Sequence, residues 1–279
     1  MSSALLTVIF GLAASLCWGS GDFSGGLASR RANPSSVIIA AYAAGFVLLV
    51  ALALLSREQL PSALDIMWGA VAGLAGAIGL AAFYQALASG RMGIAAPVSA
   101  VMTAALPVLF NILIAGLPGW LQVSGFLLAL IAIALISRPE GTKGRPEGIG
   151  LALLAGCGFG IFFILISRVN HNSTFWPLAA ARFTAVIFLF IAVRVRGQQT
   201  LPKRSLLPLV LIAGVLDAMG NAFFVLAAHA GRLDVAAVLA SLYPAATVIL
   251  AAIFLRERMT RIQAVGIVLA LLAVPLISV

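Results

Sequence analysis

The sequence predicts an all-α membrane protein, with ten transmembrane helices arranged as two inverted five-helix repeats. Three observations predict it. Of 279 residues, 63% are hydrophobic and only 9% charged, whereas soluble domains carry about a quarter charged residues. Too few polar groups remain to cover a water-facing exterior. The apolar residues fall into ten runs close to the ~20 residues that a bilayer-crossing helix needs. Finally, the chain aligns with itself at a single offset of 141 residues.

Read in order between charged or turn-forming residues, the first five spans are 4–28, 34–55, 65–89, 94–117 and 120–137. The second five are 148–167, 175–194, 205–229, 234–255 and 262–279. The first run lacks the basic start of a signal peptide and exceeds its apolar length, so it is expected to be a retained helix. Most connections are a few residues long, which folds sequential spans into antiparallel hairpins. The exception is 138–147, RPEGTKGRPE, polar and rich in Gly and Pro, a linker between a first repeat at 4–137 and a second at 148–279.

The offset is carried by two windows. From Gly79 to Ala96, 8 of 18 positions match residues 220–237, among them Gly79/Gly220, Phe83/Phe224, Gly90/Gly231 and Arg91/Arg232. From Gln122 to Ser137, 9 of 16 match residues 263–278, including Gln122/Gln263 and Gly125/Gly266. Chance identity in Ala- and Leu-rich chains is roughly one in ten, so the windows mark a duplication. Five spans per copy is an odd number, so the second copy enters the membrane upside down.

Charge patterning gives an independent reading of orientation, because Lys and Arg accumulate in cytoplasmic loops. Loops after odd-numbered spans hold thirteen basic residues, including Arg30, Arg31, Arg91, Arg138, Lys143, Arg145, Lys203 and Arg258, against Arg57, Arg168 and Arg232 after even-numbered ones. Both termini are therefore expected outside the cytoplasm. The net charge of +9 is spread singly or in pairs between apolar runs, which reads as membrane flanks and not as a nucleic-acid surface. Cys17 and Cys157 both lie in apolar segments without metal-ligand spacing, and read as small packing residues.

Particular motifs point to a family. The first span ends in Leu16-Cys17-Trp18-Gly19-Ser20-Gly21-Asp22-Phe23. The ninth carries Ser241-Leu242-Tyr243-Pro244 and runs into Arg256-Glu257-Arg258, and each half closes with Gln-x-x-Gly-x-x-Leu-Ala-Leu. Together these resemble the EamA family of the drug/metabolite transporter superfamily over nearly the whole chain, as two EamA domains. The resemblance implies ten helices around a central cavity, with export of metabolites or toxic compounds. At the first-repeat position equivalent to Glu257 stands Gly116, followed by the uncharged turn Leu117-Pro118-Gly119, as inversion of the loop predicts.

Ionisable groups inside spans are costly and are functional candidates by default. Three qualify: Asp22, Arg182 and Asp217. Asp217 lies about twelve residues, or about 18 Å, from either end of its span. Asn221 falls one turn away on the same face, and Gly214 and Phe224 extend the stripe. Arg182 reaches a similar depth on the neighbouring antiparallel span, so an Arg182–Asp217 ion pair is expected, either as a lock between helices or as a substrate contact. Asp22 shares a face with Ser15, Trp18 and Gly19. Small multidrug transporters, similar at superfamily level, use a first-helix carboxylate for proton and cation exchange, which implies a coupling role for Asp22. The alternative is an anchor at the helix end near Arg30 and Arg31, with Gly25-Gly26 breaking the helix.

Tyr84, Gln85, Ser99, Thr103, Ser241, Tyr243 and Thr247 are polar positions that either face a cavity or bond neighbouring backbone; Asn111 and His229 are weaker candidates. Gly69-x-x-x-Gly73 and Gly156-x-Gly158-x-Gly160 suit close helix packing. Pro97, Pro107 and Pro244 are expected inside helices. No HExxH, GxSxG or paired-carboxylate motif is present, so catalysis is not expected. The expected partners are a small-molecule substrate and the lipid bilayer of the cell membrane, with no cofactor, metal or nucleic acid, in a monomer or homodimer. Alternating-access export leads; nutrient or sugar import and a lipid-handling or structural role are the alternatives.

Overall fold

A computed structural model describes residues 2–88, 92–137, 149–197, 201–256 and 258–278. The linker 138–147, Arg91 and Glu257 lie outside the described residues, as does the side chain of Tyr84. All regular structure among the described residues is helical: α1 (Ser3–Ser29), α2 (Pro34–Leu55), α3 (Ala63–Ala88), α4 (Met92–Ala115), α5 (Trp120–Ile136), α6 (Ile149–Ile166), α7 (Phe175–Val195), α8 (Leu207–Ala230), α9 (Leu233–Ala240), α10 (Tyr243–Phe254) and α11 (Arg261–Ile277). Among the described residues, eight stretches are long and apolar enough to cross a membrane: α1 to α4, α6 to α8 and the α9–α10 pair. The apolar helices α5 and α11 are shorter, at 17 residues each.

Helix starts follow local chemistry. Ser2 caps α1, Asn33 caps α2 ahead of Pro34, and Ser62 and Asp65 bond reciprocally at the start of α3. Thr260 and Gln263 form a complete capping box on α11. Each satisfies backbone donors that a helix start leaves open.

Two expectations about helix continuity are corrected. Gly25 and Gly26 do not break α1, which runs on to Ser29; intrahelical bonds hold the backbone at each Gly. The ninth span is not one helix: α9 stops at Ala240 and α10 starts at Tyr243. Pro244 sits in the first turn of α10, where its missing N–H costs nothing, and not inside a helix as expected. The proline within a helix that the sequence reading passed over is Pro275, in α11.

The helices pair across the two halves in matched sets. α1 packs on α8 as α6 packs on α3; α1 packs on α9 and α10 as α6 packs on α4; α2 packs on α8 as α7 packs on α3. α5 and α11 pair with each other. Gln122 Nε2 donates to Ile277 O at 3.4 Å, and Gln263 Nε2 donates to Ile136 O at 3.4 Å. The start of each helix thus meets the end of the other, an antiparallel pairing about a two-fold axis that runs across the helices.

Small residues make these seams. Gly69 and Gly73 of α3 lie against the backbone of Pro177 and Ala181 in α7, and Gly214 of α8 lies against the backbone of Ala41 in α2. Gly156, Gly158 and Gly160 of α6 meet α4 and α3, as the sequence spacing suggested. Large apolar side chains point outward instead: Leu113 is 85% exposed and Leu271 68%, the surface of a protein whose solvent is hydrocarbon.

Candidate functional site

Between the halves lies a cavity of about 170 Å³, walled by α1 to α4, α6 to α8 and the first residue of α10. Seven of the sequence candidates line it: Trp18, Asp22, Thr103, Arg182, Asp217, Asn221 and Tyr243. Two do not. Ser15 is buried one turn before Trp18, and Ser241 is fully buried at the break between α9 and α10, its Oγ without a hydrogen-bond partner among the described residues.

The charged centre is the Arg182–Asp217 ion pair. It links α7 to α8 as helix depth predicted. The guanidinium also lies 4.1 Å from the centroid of the Tyr42 ring, so its positive charge faces a carboxylate on one side and an aromatic face on the other. Asn221 Nδ2 donates to Asp217 O at 2.9 Å, which orients the amide along α8. Gly45 and Gly214 let α2 come close enough to α8 to bring Tyr42 into this group.

The aromatic wall centres on Trp18. Its ring stacks on Phe163 at 5.4 Å and 7°, and meets Tyr243 edge-on at 6.5 Å and 85°. Phe163 stacks in turn on Phe224 at 4.2 Å. Phe224 has no exposed surface, and Gly214 is spent on Ala41. The expected α8 stripe therefore shrinks at the cavity to Asp217 and Asn221. The volume exceeds the roughly 150 Å³ of a cavity that holds benzene, which suits a small ligand with a flat or apolar body.

Thr103 Oγ1 donates to Ser99 O at 2.8 Å, and Thr247 Oγ1 bonds Gly19 O at 3.1 Å. These hydroxyls hold backbone, the second one between α1 and α10. Four aromatic lining groups are not singled out by the sequence: Tyr42, Phe159, Phe162 and Phe163. The three phenylalanines were signalled by their spacing, which puts them on one face of α6. Tyr42 had the weaker signal of the one polar group beyond the first turn of the apolar α2.

Two related helical units sharing one polar and aromatic cavity define a polytopic helical membrane protein built by duplication. The chain belongs to the EamA-like transporter family, whose model matches it twice, over residues 5–138 and 146–279. It is a multi-pass membrane transporter, in a family of transporters and not enzymes. An uncharacterized protein of Methanocaldococcus jannaschii is 27% identical over 131 residues, 47% of this chain and 94% of that one; it has about the length of a single repeat. One solved crystal structure superposes with a TM-score of 0.76 over 97% of this chain and 95% of that chain, at 18% identity. At that identity the likeness is one of fold.

Proposed function

We propose that the chain crosses the membrane ten times, as two inverted repeats with both termini outside the cytoplasm, and exports a small metabolite or drug by alternating access. The shorter α5 and α11, about 25 Å long at 1.5 Å per residue, still approach the hydrocarbon thickness. Counting α9 and α10 as one broken crossing gives five per repeat. The observation that carries the reading is the cavity itself, lined by residues of both repeats. A helix broken next to that cavity is the form irregular backbone takes at transporter binding sites.

Asp22 is the coupling residue in this reading. It borders the same space as the Arg182–Asp217 pair, and a carboxylate facing a cavity in a membrane protein is a place to carry a proton. The test is transport into proteoliposomes with a panel of amino acids, sugars and cationic drugs, with and without a pH gradient. One substrate class is expected to move, faster with the gradient, and Asp22→Asn is expected to remove the gradient's effect. Failure of every class under both conditions would sink the transporter reading, and full gradient response in Asp22→Asn would remove the coupling role.

A further inference from the structure

At one end of the molecule the two repeats are joined by a carboxylate and a helix start. α7 has no side-chain cap of its own at Thr174. The open donors of its first turn are taken by Glu58, which arrives from the α2–α3 loop of the other repeat. Glu58 Oε1 accepts from Thr174 N at 3.0 Å, Trp176 N at 3.2 Å and Ser173 Oγ at 3.3 Å, and Oε2 accepts from Phe175 N at 2.9 Å. Trp176 Nε1 donates back to Glu58 O at 3.3 Å. Beside it, Asp65 Oδ1 accepts from Asn170 N at 2.9 Å. A carboxylate at a helix N-terminus gains from the open donors and from the helix dipole together.

This cap sits directly over the α3–α7 seam. One turn further along α7, Leu178 lines the cavity and is 1% exposed, and Gly69 and Gly73 press on the α7 backbone alongside it. The duplication supplies a built-in comparison. At the 141-residue offset, Asp65 corresponds to Leu206, and Thr174 to Asn33. The matching helix α2 is capped by its own Asn33, and the matching seam is closed by Ala28, Val37, Leu206 and Val210 in an apolar cluster. Among the described residues, the first seam carries charge-assisted bonds from the opposite repeat, and the matching seam carries an apolar cluster.

We infer that Glu58 is the latch of the α3–α7 gate: the cavity opens toward this end only when the carboxylate leaves the first turn of α7. The inference rests on alternating access between the two ends of the cavity. Opening toward this end breaks the bonds between Glu58 and the first turn of α7.

The test uses full-length protein with Cys17→Ala and Cys157→Ala, a reporter Leu178→Cys, and a membrane-impermeant maleimide. Gln59→Cys, on the exposed loop, identifies the preparation in which this face is outward. Glu58→Ala is expected to raise the labelling rate of Leu178→Cys about tenfold from that face, and Glu58→Gln by less. Val210→Cys, in the opposite seam and labelled from its own face in preparations of the reverse orientation, is expected to label no faster. Equal acceleration at both reporters means general loosening and overturns the latch. Should Glu58→Ala fail to fold, Glu58→Gln carries the decision: faster hydrogen exchange at the Thr174–Trp176 amides without faster labelling of Leu178→Cys also overturns it. Labelling needs no cargo, so a latch that responds in a protein that moves no substrate would count against transport alone. Unchanged labelling in a protein that does transport would count against the latch alone.

Discussion

Arg182 and Asp217 are each costly to place at this depth singly, and each is made tolerable by the other. Removing one leaves the other unpaired. Arg182→Leu alone is expected to destabilise the protein by about 3 kcal/mol, read as denaturant unfolding in detergent. The double replacement Arg182→Leu with Asp217→Leu is expected to recover most of that loss. If the recovered protein still transports, the pair is a lock between α7 and α8; if it is folded and inactive, the pair touches cargo. The pairing was legible in the sequence because helix depth is simple arithmetic. Tyr42 was not, since a single aromatic ring in an apolar helix shows its partner only after α2 and α7 have docked.

Packing of helices against each other depends on positions that hold no side chain at all. At Gly73 and Gly214 a methyl group would collide with the backbone of Ala181 and Ala41, and backbone cannot swing aside. Gly73→Ala and Gly214→Ala are each expected to cost about 1–3 kcal/mol of stability, seen as lower thermal midpoints, whereas alanine at Gly150, which meets nothing within 4 Å, should be silent. Helix bounds were close to legible: the spans expected from the sequence differ from the observed ends by one or two residues in most cases. The ninth failed because a proline in an apolar run fits both a kinked helix and a helix start. The observed ends at Ala240 and Tyr243 show the second, with α1 packed on the new start through Gly19 against the Tyr243 backbone. The equivalent of Pro244 in the first repeat is Thr103, and there α4 continues unbroken.

For the molecule as a whole, the main helix seams run between repeats and not within them: α1 with α8, α3 with α6 and α7, α2 with α7 and α8, and α5 with α11. Neither half encloses the cavity alone. Separate chains 1–137 and 149–279 are therefore expected to purify together when co-expressed and to aggregate when expressed singly; a stable, monomeric single half would contradict this. Duplication was legible because the end helices and the third and eighth spans kept their glycines and Gln122/Gln263, which the seams require. The cavity was only half legible because its walls are where the copies diverged. A strictly symmetric site would carry each ionisable group in duplicate. Here the offset pairs Asp22 with Phe163, Arg182 with Ala41, Asp217 with Gly76, Asn221 with Leu80 and Tyr243 with Met102. A bound molecule consequently meets every polar group once. It has a single preferred way round in the site, which two identical halves could never impose.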